Sequence, residues 1–439
     1  MPTMTDGRGI RVTASSAAEV ASVDCFTSRL LRINRGTESI LEDARTFPDT
    51  PMIQLLAAAY CLFGQTGPAD QAAAGFLVQA APLIAMATPR EQMIDRALRA
   101  WAAKDHLTAV TVLEETTRQF PTDMLAAKLA EFFYYVLGQE HEGPRFLAHM
   151  DRLAAANDSD PDFLAMHSFA QELCGQTTAA RNTVERALAL EPNNPWAHHT
   201  VAHIHLRAGD TQAGISALES FLPVWIGAAR FIHCHNTWHL ALAHLEDGNL
   251  ERALHLYRRH VGGITPDLVP EQIDAIAFLW RLEMAGRRMD EEWAALADKA
   301  EGLIGTRYMP FIDAHAAYAL ARAGRSDALA RLVGLVRNRA ARGDAEAKRS
   351  WAPVGVALVE ASAASAQGDA ARCAALMEPI MPGVTVVGGS DAQVDLFRLC
   401  WFHALVMVGR KADARAFWQS VAGSHPATPA DRHRLGLAA

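Results

Sequence analysis

Histidines are concentrated between residues 192 and 248, a stretch that holds eight of the 18 in this 439-residue chain. Two pairs have the i,i+4 spacing that places both side chains on one helix face: His199 with His203, and His235 with His239. The pairs are offset by 36 residues, about one unit of a helical repeat, so we expect their faces to be neighbours. Imidazole nitrogens ligate metals and transfer protons near neutral pH. The stretch therefore predicts a metal-binding or acid–base site.

Carboxylates and amides at similar positions of later helices extend this candidate site. Asp274 begins one predicted helix, Asp313 and His315 the next, and Gln393 and Asp395 a later one. The helix dipole alone also favours carboxylates in a first turn, so each of these residues has a structural alternative. The candidate acid–base residues are His199, His203, His239, Asp274, Asp313 and His315, and the candidate metal ligands are His199, His203, His235 and His239.

Other residues near the paired histidines have different expected roles. Asn236 would hydrogen-bond a substrate, and Trp238 would pack or form a pocket wall. Single histidines on helices are usually buried packing residues with their hydrogen bonds satisfied, and we expect this of His198, His205 and His244. The HxxxH spacing suits metal ligation, but the sequence has no HExxH motif, and a divalent metal is therefore one of two open interpretations.

The elements that must position these residues are predicted to be helices. Alanine is abundant, and glycines recur 34 to 44 residues apart, each just before a polar residue. Glycine commonly adopts the left-handed conformation that ends a helix, so this spacing indicates a helical repeat. The predicted helix-ending residues are Gly138, Gly175, Gly209, Gly248, Gly286, Gly324, Gly368 and Gly409.

One unit, AARNTVERALALEPNNPWAHHTVAHIHLRAGD, matches the tetratricopeptide pattern most closely. We predict an all-α fold without a β-sheet, in which tetratricopeptide-like antiparallel helix pairs form a single α-solenoid superhelix. Residues 1–110 would be degenerate helical repeats, and residues 111–439 would continue the same solenoid as clearer repeats. Two long connections, 222–232 and 379–389, are candidate lids because long loops in compact helical proteins are often functional.

Composition excludes several classes of function. The net charge is −8 without a basic cluster, which disfavours nucleic-acid binding. The N-terminal residues lack the apolar segment of a signal peptide, and the longest apolar stretch, near residues 52–63, is too short to span a bilayer. The six cysteines are scattered without a CxxC pair, as expected of reduced thiols in a cytoplasmic protein.

Short motifs distributed over most of the chain carry a family resemblance. They are Thr13-Ala14-Ser15-Ser16, Pro89-Arg90-Glu91, Phe169-Ala170-Gln171-Glu172, Trp196-Ala197-His198-His199 through His203, His235-Asn236-Thr237-Trp238-His239, Leu279-Trp280-Arg281-Leu282, Asp313-Ala314-His315 and Gln393-Val394-Asp395. Together they resemble the tetratricopeptide repeat protein 38 family. The chain departs from the family at Ala277-Phe278, where serine is usual, and at Val394, where arginine is usual.

The resemblance implies a closed-up helical array with a polar inner lining and implies no particular reaction. It adds Glu172 and Arg281 to the candidate substrate-binding residues, which are Asn236, Trp238, Glu172, Arg281, Gln393 and Asp395. Two functions remain open. The first is a concave pocket that binds a small molecule and transforms it as a hydrolase or lyase, by metal-free acid–base chemistry or with a His-ligated metal. The second is a protein-interaction scaffold with a protein partner in the groove. Histidine and Asn236, rather than Lys or Arg, on the predicted inner stripe favour the pocket.

Overall fold

A computed structural model of the protein describes residues 1–262, 268–306, 308–421 and 430. These residues form an all-α helical repeat in which helices that follow one another in sequence pack together, so the predicted fold class is confirmed. The predicted absence of a β-sheet is wrong at one place. Strands β1 (Thr3–Thr5) and β2 (Arg11–Thr13) pair as an antiparallel hairpin, with Met4 opposite Val12.

The described residues form 22 α-helices. They are α1 (Ala17–Arg32), α2 (Ile40–Thr46), α3 (Pro51–Leu62), α4 (Gly67–Ile84), α5 (Pro89–Ala102), α6 (His106–Gln119), α7 (Met124–Leu137), α8 (Gln139–Asn157), α9 (Pro161–Leu173), α10 (Thr177–Leu190), α11 (Pro195–Ala208), α12 (Thr211–Gly227), α13 (Arg230–Glu246), α14 (Leu250–Leu256), α15 (Val269–Met284), α16 (Asp290–Gly302), α17 (Pro310–Arg322), α18 (Ser326–Ala340), α19 (Val356–Ala366), α20 (Ala370–Met377), α21 (Asp391–Met407) and α22 (Lys411–Val421). Short π-helical segments (Tyr257–Val261, Ala347–Gly355) and 3₁₀ segments (Thr37–Ser39, Met381–Val387) lie between some of them.

Local sequence determines where many of these helices begin and end. Thr88 and Glu91 form a capping box at the start of α5, in which each side chain accepts from the other residue's backbone N–H. Pro161 occupies the first turn of α9 behind the capping carboxylate of Asp160. All eight glycines predicted to end helices have positive φ, between +63° and +99°. The glycine rule therefore locates the repeat boundaries correctly.

The chain divides into two compact units. Unit 1 comprises Met1–Leu137, Glu142–Thr200 and Pro223–Ile232, and unit 2 comprises Gly138–His141, Val201–Leu222 and His233–Ala439. In unit 1, α3 packs on α4, α6 on α7, and α9 on α10. A buried ion network joins its hairpin to its helices, since Arg90 contacts Asp6 at 2.8 Å and holds Asp123 through two nitrogens at 2.8 and 2.9 Å.

Unit 2 is a succession of packed helices from α15 onward. Helix α17 packs on α19, α19 on α20, and α20 on α21, while α15 contacts α21. The last of these contacts brings two inner helices together although α21 comes much later in the chain. It decides which polar side chains meet in the candidate site.

Neither predicted lid is an open loop. Helix α12 continues through Pro223 to Gly227 and α13 begins at Arg230, so the prediction of a long connection at 222–232 is wrong. The 379–389 segment contains the 3₁₀ helix Met381–Val387, which buries Met381, Val384 and Val387. The carbonyl oxygen of Thr385 in this segment occupies the position that a Cβ atom at residue 138 would take. Residue 138 must therefore be glycine for the two backbones to approach so closely.

No single helix in the described ranges combines the length and apolar character needed to cross a membrane. One bent pair of helices, Ala370–Met377 with Met381–Val387, reaches the necessary length and apolar composition when the two are taken together.

Candidate functional site

Three of the four paired histidines form a buried cluster in unit 2. His203 comes from α11, and His235 and His239 come from successive turns of α13. The His239 ring is central, with its centroid 4.7 Å from that of His203 and 4.8 Å from that of His235. Both contacts are edge-to-face. His239 therefore contacts both of the other imidazoles of the cluster.

Two aspartates orient the outer imidazoles. The Nδ1 atom of His235 lies 2.9 Å from Asp274 Oδ2, and that of His203 lies 3.0 Å from Asp391 Oδ1. A carboxylate at Nδ1 favours the tautomer with the proton on that nitrogen and leaves a lone pair on Nε2. Each imidazole–carboxylate pair is thus arranged like a base with its orienting group.

The first turn of α21 positions both aspartates. Ser390 caps the helix, and the Gln393 side-chain oxygen accepts a hydrogen bond from the Ser390 backbone N–H at 3.1 Å. This capping box leaves Asp391 in the first helical turn, beside His203. The Gln393 amide also donates to Asp274 Oδ1 at 3.1 Å, so α21 supports the Asp274–His235 pair as well.

Arg281 of α15 supplies a buried positive charge next to this cluster. It donates to the carbonyl oxygen of Ala392 in α21 at 2.8 Å. Its guanidinium carbon is 5.5 Å from the ring centroid of Trp238, and that ring stacks on His235 at the same centroid distance of 5.5 Å. Trp238 therefore contacts both Arg281 and His235, and its assignment to substrate binding stays a prediction.

The members of the cluster differ in their protonation states. Burial lowers the pKa of His239 well below its ordinary value, and the nearby His203, His235 and Arg281 lower it further. Burial alone would raise the pKa of Asp391, but His203 and Arg207 hold it well below its usual range. Arg207 lies 3.0 Å from Asp391 Oδ2. At neutral pH, His239 is therefore a neutral imidazole and Asp391 a carboxylate.

The remaining predicted residues of unit 2 have varied surroundings. Asn236 is buried on α13, and Asp395 is half-buried on α21. Asp313 and His315 are both buried on α17. His315 Nδ1 donates to the Phe311 carbonyl oxygen at 2.8 Å, and burial lowers the pKa of His315 to about 3. Its aromatic neighbourhood favours a packing role, and the catalytic assignment of Asp313 and His315 stays a prediction.

His199 and Glu172 belong to unit 1. The His199 ring stacks on Trp196 with centroids 4.5 Å apart, and Phe169 meets it edge-on at 4.9 Å. Glu172 is fully buried on α9. His198, expected to be a packing residue, accepts from the Trp225 indole at 3.1 Å and lies 2.8 Å from the Pro192 carbonyl oxygen. That expectation is therefore correct.

Sequence reasoning missed Asp391 and Arg207 in unit 2, and Lys128 and Glu131 in unit 1. Asp391 follows the capping residue Ser390 directly, so a first-turn carboxylate next to the predicted Gln393 was the available signal. Lys128 and Glu131 lie three residues apart on α7, a spacing common in surface ion pairs, and nothing local indicates that they are buried.

No known family model matches this sequence. Membership of the tetratricopeptide repeat protein 38 family therefore stays a prediction from the motifs.

Proposed function

We propose that unit 2 binds a small molecule at the histidine cluster and transforms it by proton transfer, as a hydrolase or lyase. The observation that carries this proposal is two imidazole–carboxylate contacts beside His239. His235 and Asp274 are both buried and lie 2.9 Å apart, and buried His203 lies 3.0 Å from the partly exposed Asp391. Burying ionisable groups is costly and contributes little net stability, and clusters of such groups are found at functional sites.

The roles follow from the geometry of each pair. Asp274 holds the Nδ1 proton of His235, which makes His235 Nε2 the atom that removes a proton from a substrate. His203 Nδ1 lies 3.0 Å from Asp391 Oδ1 in a second close contact, although these two atoms do not have hydrogen-bond geometry. Arg281, which acts electrostatically on His239, would stabilise negative charge that develops on the substrate. Asn236 would hydrogen-bond the substrate.

A His-ligated divalent metal is the second candidate, and one observation favours it. In a metal-binding histidine, the N–H of the second ring nitrogen usually donates a hydrogen bond to a carboxylate, a backbone carbonyl or water. His235 Nδ1 is placed for such a bond to Asp274. One ring nitrogen of His235 and one of His239 lie within 4.8 Å of each other, close enough to share an ion after small side-chain movements. A bound metal would activate water for hydrolysis.

The test compares Asp274→Asn with the wild-type protein and a matched control. The wild type is first examined by native mass spectrometry for a retained small molecule, by elemental analysis for metal, and with chromogenic esters and phosphate esters. Asp274→Asn should lower turnover at least ~100-fold by disordering the His235 tautomer, since acid–base catalysis contributes about that much. Retained ligand or metal should fall in parallel.

The control is His244→Gln, which lies on the same helix but contacts Glu219 at 3.1 Å and not the cluster's carboxylates. Its activity and ligand content should equal those of the wild type. Equal activity of wild type and Asp274→Asn at equal melting temperature would contradict the proposal. Capture of a protein partner, with neither ligand nor metal retained, would favour the scaffold instead.

A further inference from the structure

Lysine is rare in this protein, and only one of its lysines is buried. Five of the 41 Lys and Arg residues are lysines, and each has a described position. Lys128 on α7 is the buried one, with 8% of its side chain exposed. The other four are partly or fully exposed. Arginine supplies the cation in most of the other ion pairs among the described residues.

An acidic and aromatic shell surrounds the Lys128 ammonium in unit 1. Its Nζ lies 2.6 Å from Glu131 Oε2 and 3.8 Å from the ring centroid of Trp196. The Trp196 indole donates to the other oxygen of Glu131 at 3.0 Å. His199 stacks parallel to the same Trp196 ring at 4.5 Å. Helices α7 and α11 thus supply the acidic and aromatic groups around this one amine.

Stability does not account for this arrangement. A buried ion pair generally contributes no more than well-packed apolar side chains of the same volume, because desolvation offsets the attraction. Burial lowers the pKa of Lys128, although Glu131 and Asp162 oppose that shift. A lower pKa increases the fraction of neutral amine, which is the nucleophilic form.

We propose that Lys128 is a nucleophile that forms a Schiff base with a small aldehyde or ketone, with Glu131 as its acid–base partner. Glu131 first takes the ammonium proton, and the free amine attacks the carbonyl carbon, giving a carbinolamine. Glu131 then returns the proton to the departing hydroxyl group, water leaves, and a C=N bond to Nζ remains. One lysine ammonium and one carbonyl compound give one protonated imine and one water, and Glu131 ends as the carboxylate, with no oxidant or reductant. The Trp196 indole keeps the Glu131 carboxylate aimed at Nζ.

Reductive trapping of the full-length protein tests this directly. The protein is incubated at neutral pH with acetaldehyde or with pyruvate, each with cyanoborohydride, and adducts at each lysine are followed over time by peptide mass spectrometry. Lys104 is the matched control, since it also pairs with a carboxylate, at 2.8 Å from both oxygens of Asp70, and burial also lowers its pKa. With at least one probe, Lys128 should react at least ~10-fold faster than Lys104, because Glu131 is buried and held by the Trp196 indole whereas the Lys104–Asp70 pair is partly exposed. This margin lies below the roughly 100-fold at which the contribution of general acid–base catalysis begins.

Two variants separate chemistry from folding. Glu131→Gln should slow trapping at Lys128 at least ~10-fold and flatten its pH dependence, with the Lys104 rate unchanged, because the amide cannot exchange the proton. Lys128→Arg should remove the fast adduct. Trapping at Lys128 no faster than at Lys104 with both probes overturns the proposal, and this result needs no variant. An unchanged Lys128 rate in folded Glu131→Gln overturns it as well.

Discussion

At the scale of single residues, burial and neighbours decide what each histidine does. His198 uses both ring nitrogens in contacts with Trp225 and Pro192, and it is a packing residue. His315 bonds back to its own helix at Phe311. His203 and His235 instead contact carboxylates from other helices. The same side chain therefore has a structural role in one place and a candidate chemical role in another.

Arg90 illustrates the cost of a buried charge. Arg90→Ala should lower the free energy of unfolding by about 3–5 kcal/mol, because it leaves Asp6 and Asp123 buried without their cation. Arg45→Ala is the control, since Arg45 pairs with Glu42 at side-chain exposures of 70% and 72% and should cost under about 1 kcal/mol. Urea denaturation of both variants measures the difference. Similar losses of unfolding free energy in the two variants would show that Asp6 and Asp123 do not depend on Arg90 for their charge compensation.

At the scale of elements, helix termini place the candidate site. The Ser390–Gln393 capping box begins α21 and simultaneously puts Asp391 beside His203 and the Gln393 amide on Asp274. A glycine ends each predicted repeat with positive φ. Capping is a local property of the sequence, yet here it sets the position of side chains that contact distant helices.

Two of the helix-ending glycines should differ in their tolerance of alanine. Gly138 and Gly324 have φ of +99° and +70°, so alanine is strained at both by about 1–2 kcal/mol. At Gly138 the added Cβ would also overlap the Thr385 carbonyl, whereas at Gly324 no atom lies within 4 Å. Gly138→Ala should therefore cost at least ~2 kcal/mol more than Gly324→Ala in thermal or urea unfolding. Equal costs would contradict the close approach at Thr385.

At the scale of the whole molecule, buried neutral histidines make the fold sensitive to acid. Burial lowers the pKa of His149 and His198 to about 4 each and that of His315 to about 3, from 6.5. It lowers the pKa of His239 as well. The unfolded chain therefore takes up protons below about pH 6.5 that the folded protein does not.

The free energy of unfolding should accordingly be nearly constant above pH 6.5 and fall as the pH drops from 6.5 towards 4. Each buried histidine contributes up to ~1.4 kcal/mol per pH unit in that window. Urea denaturation at several pH values measures the slope. His315→Gln should reduce the slope by about one proton's contribution, consistent with its folded pKa of about 3. A slope unchanged by the substitution would indicate that His315 is protonated in the folded protein.

Local patterns in the sequence were sufficient for the helical repeat and for the His235–His239 pair. Apolar periodicity and glycine spacing predicted the repeat, since helix formation and termination depend on nearby residues. The i,i+4 spacing placed His235 and His239 on one face of α13, and their rings do meet. The β-hairpin was missed because its two strands are only three residues long. The helical character of residues 222–227 was missed because proline usually ends a helix, whereas α12 continues through Pro223.

Only the tertiary structure decided which carboxylates and cations join the histidines. Asp274 is 39 residues from His235, and Gln393 is 119 residues from Asp274. A shift of one residue in the register of a helix rotates a side chain by about 100°, so small errors in predicted repeat boundaries change which groups face each other. The burial of Lys128 has the same origin, because Trp196 comes from a helix two repeats later. Long-range packing, which no local pattern encodes, determines which of these side chains meet.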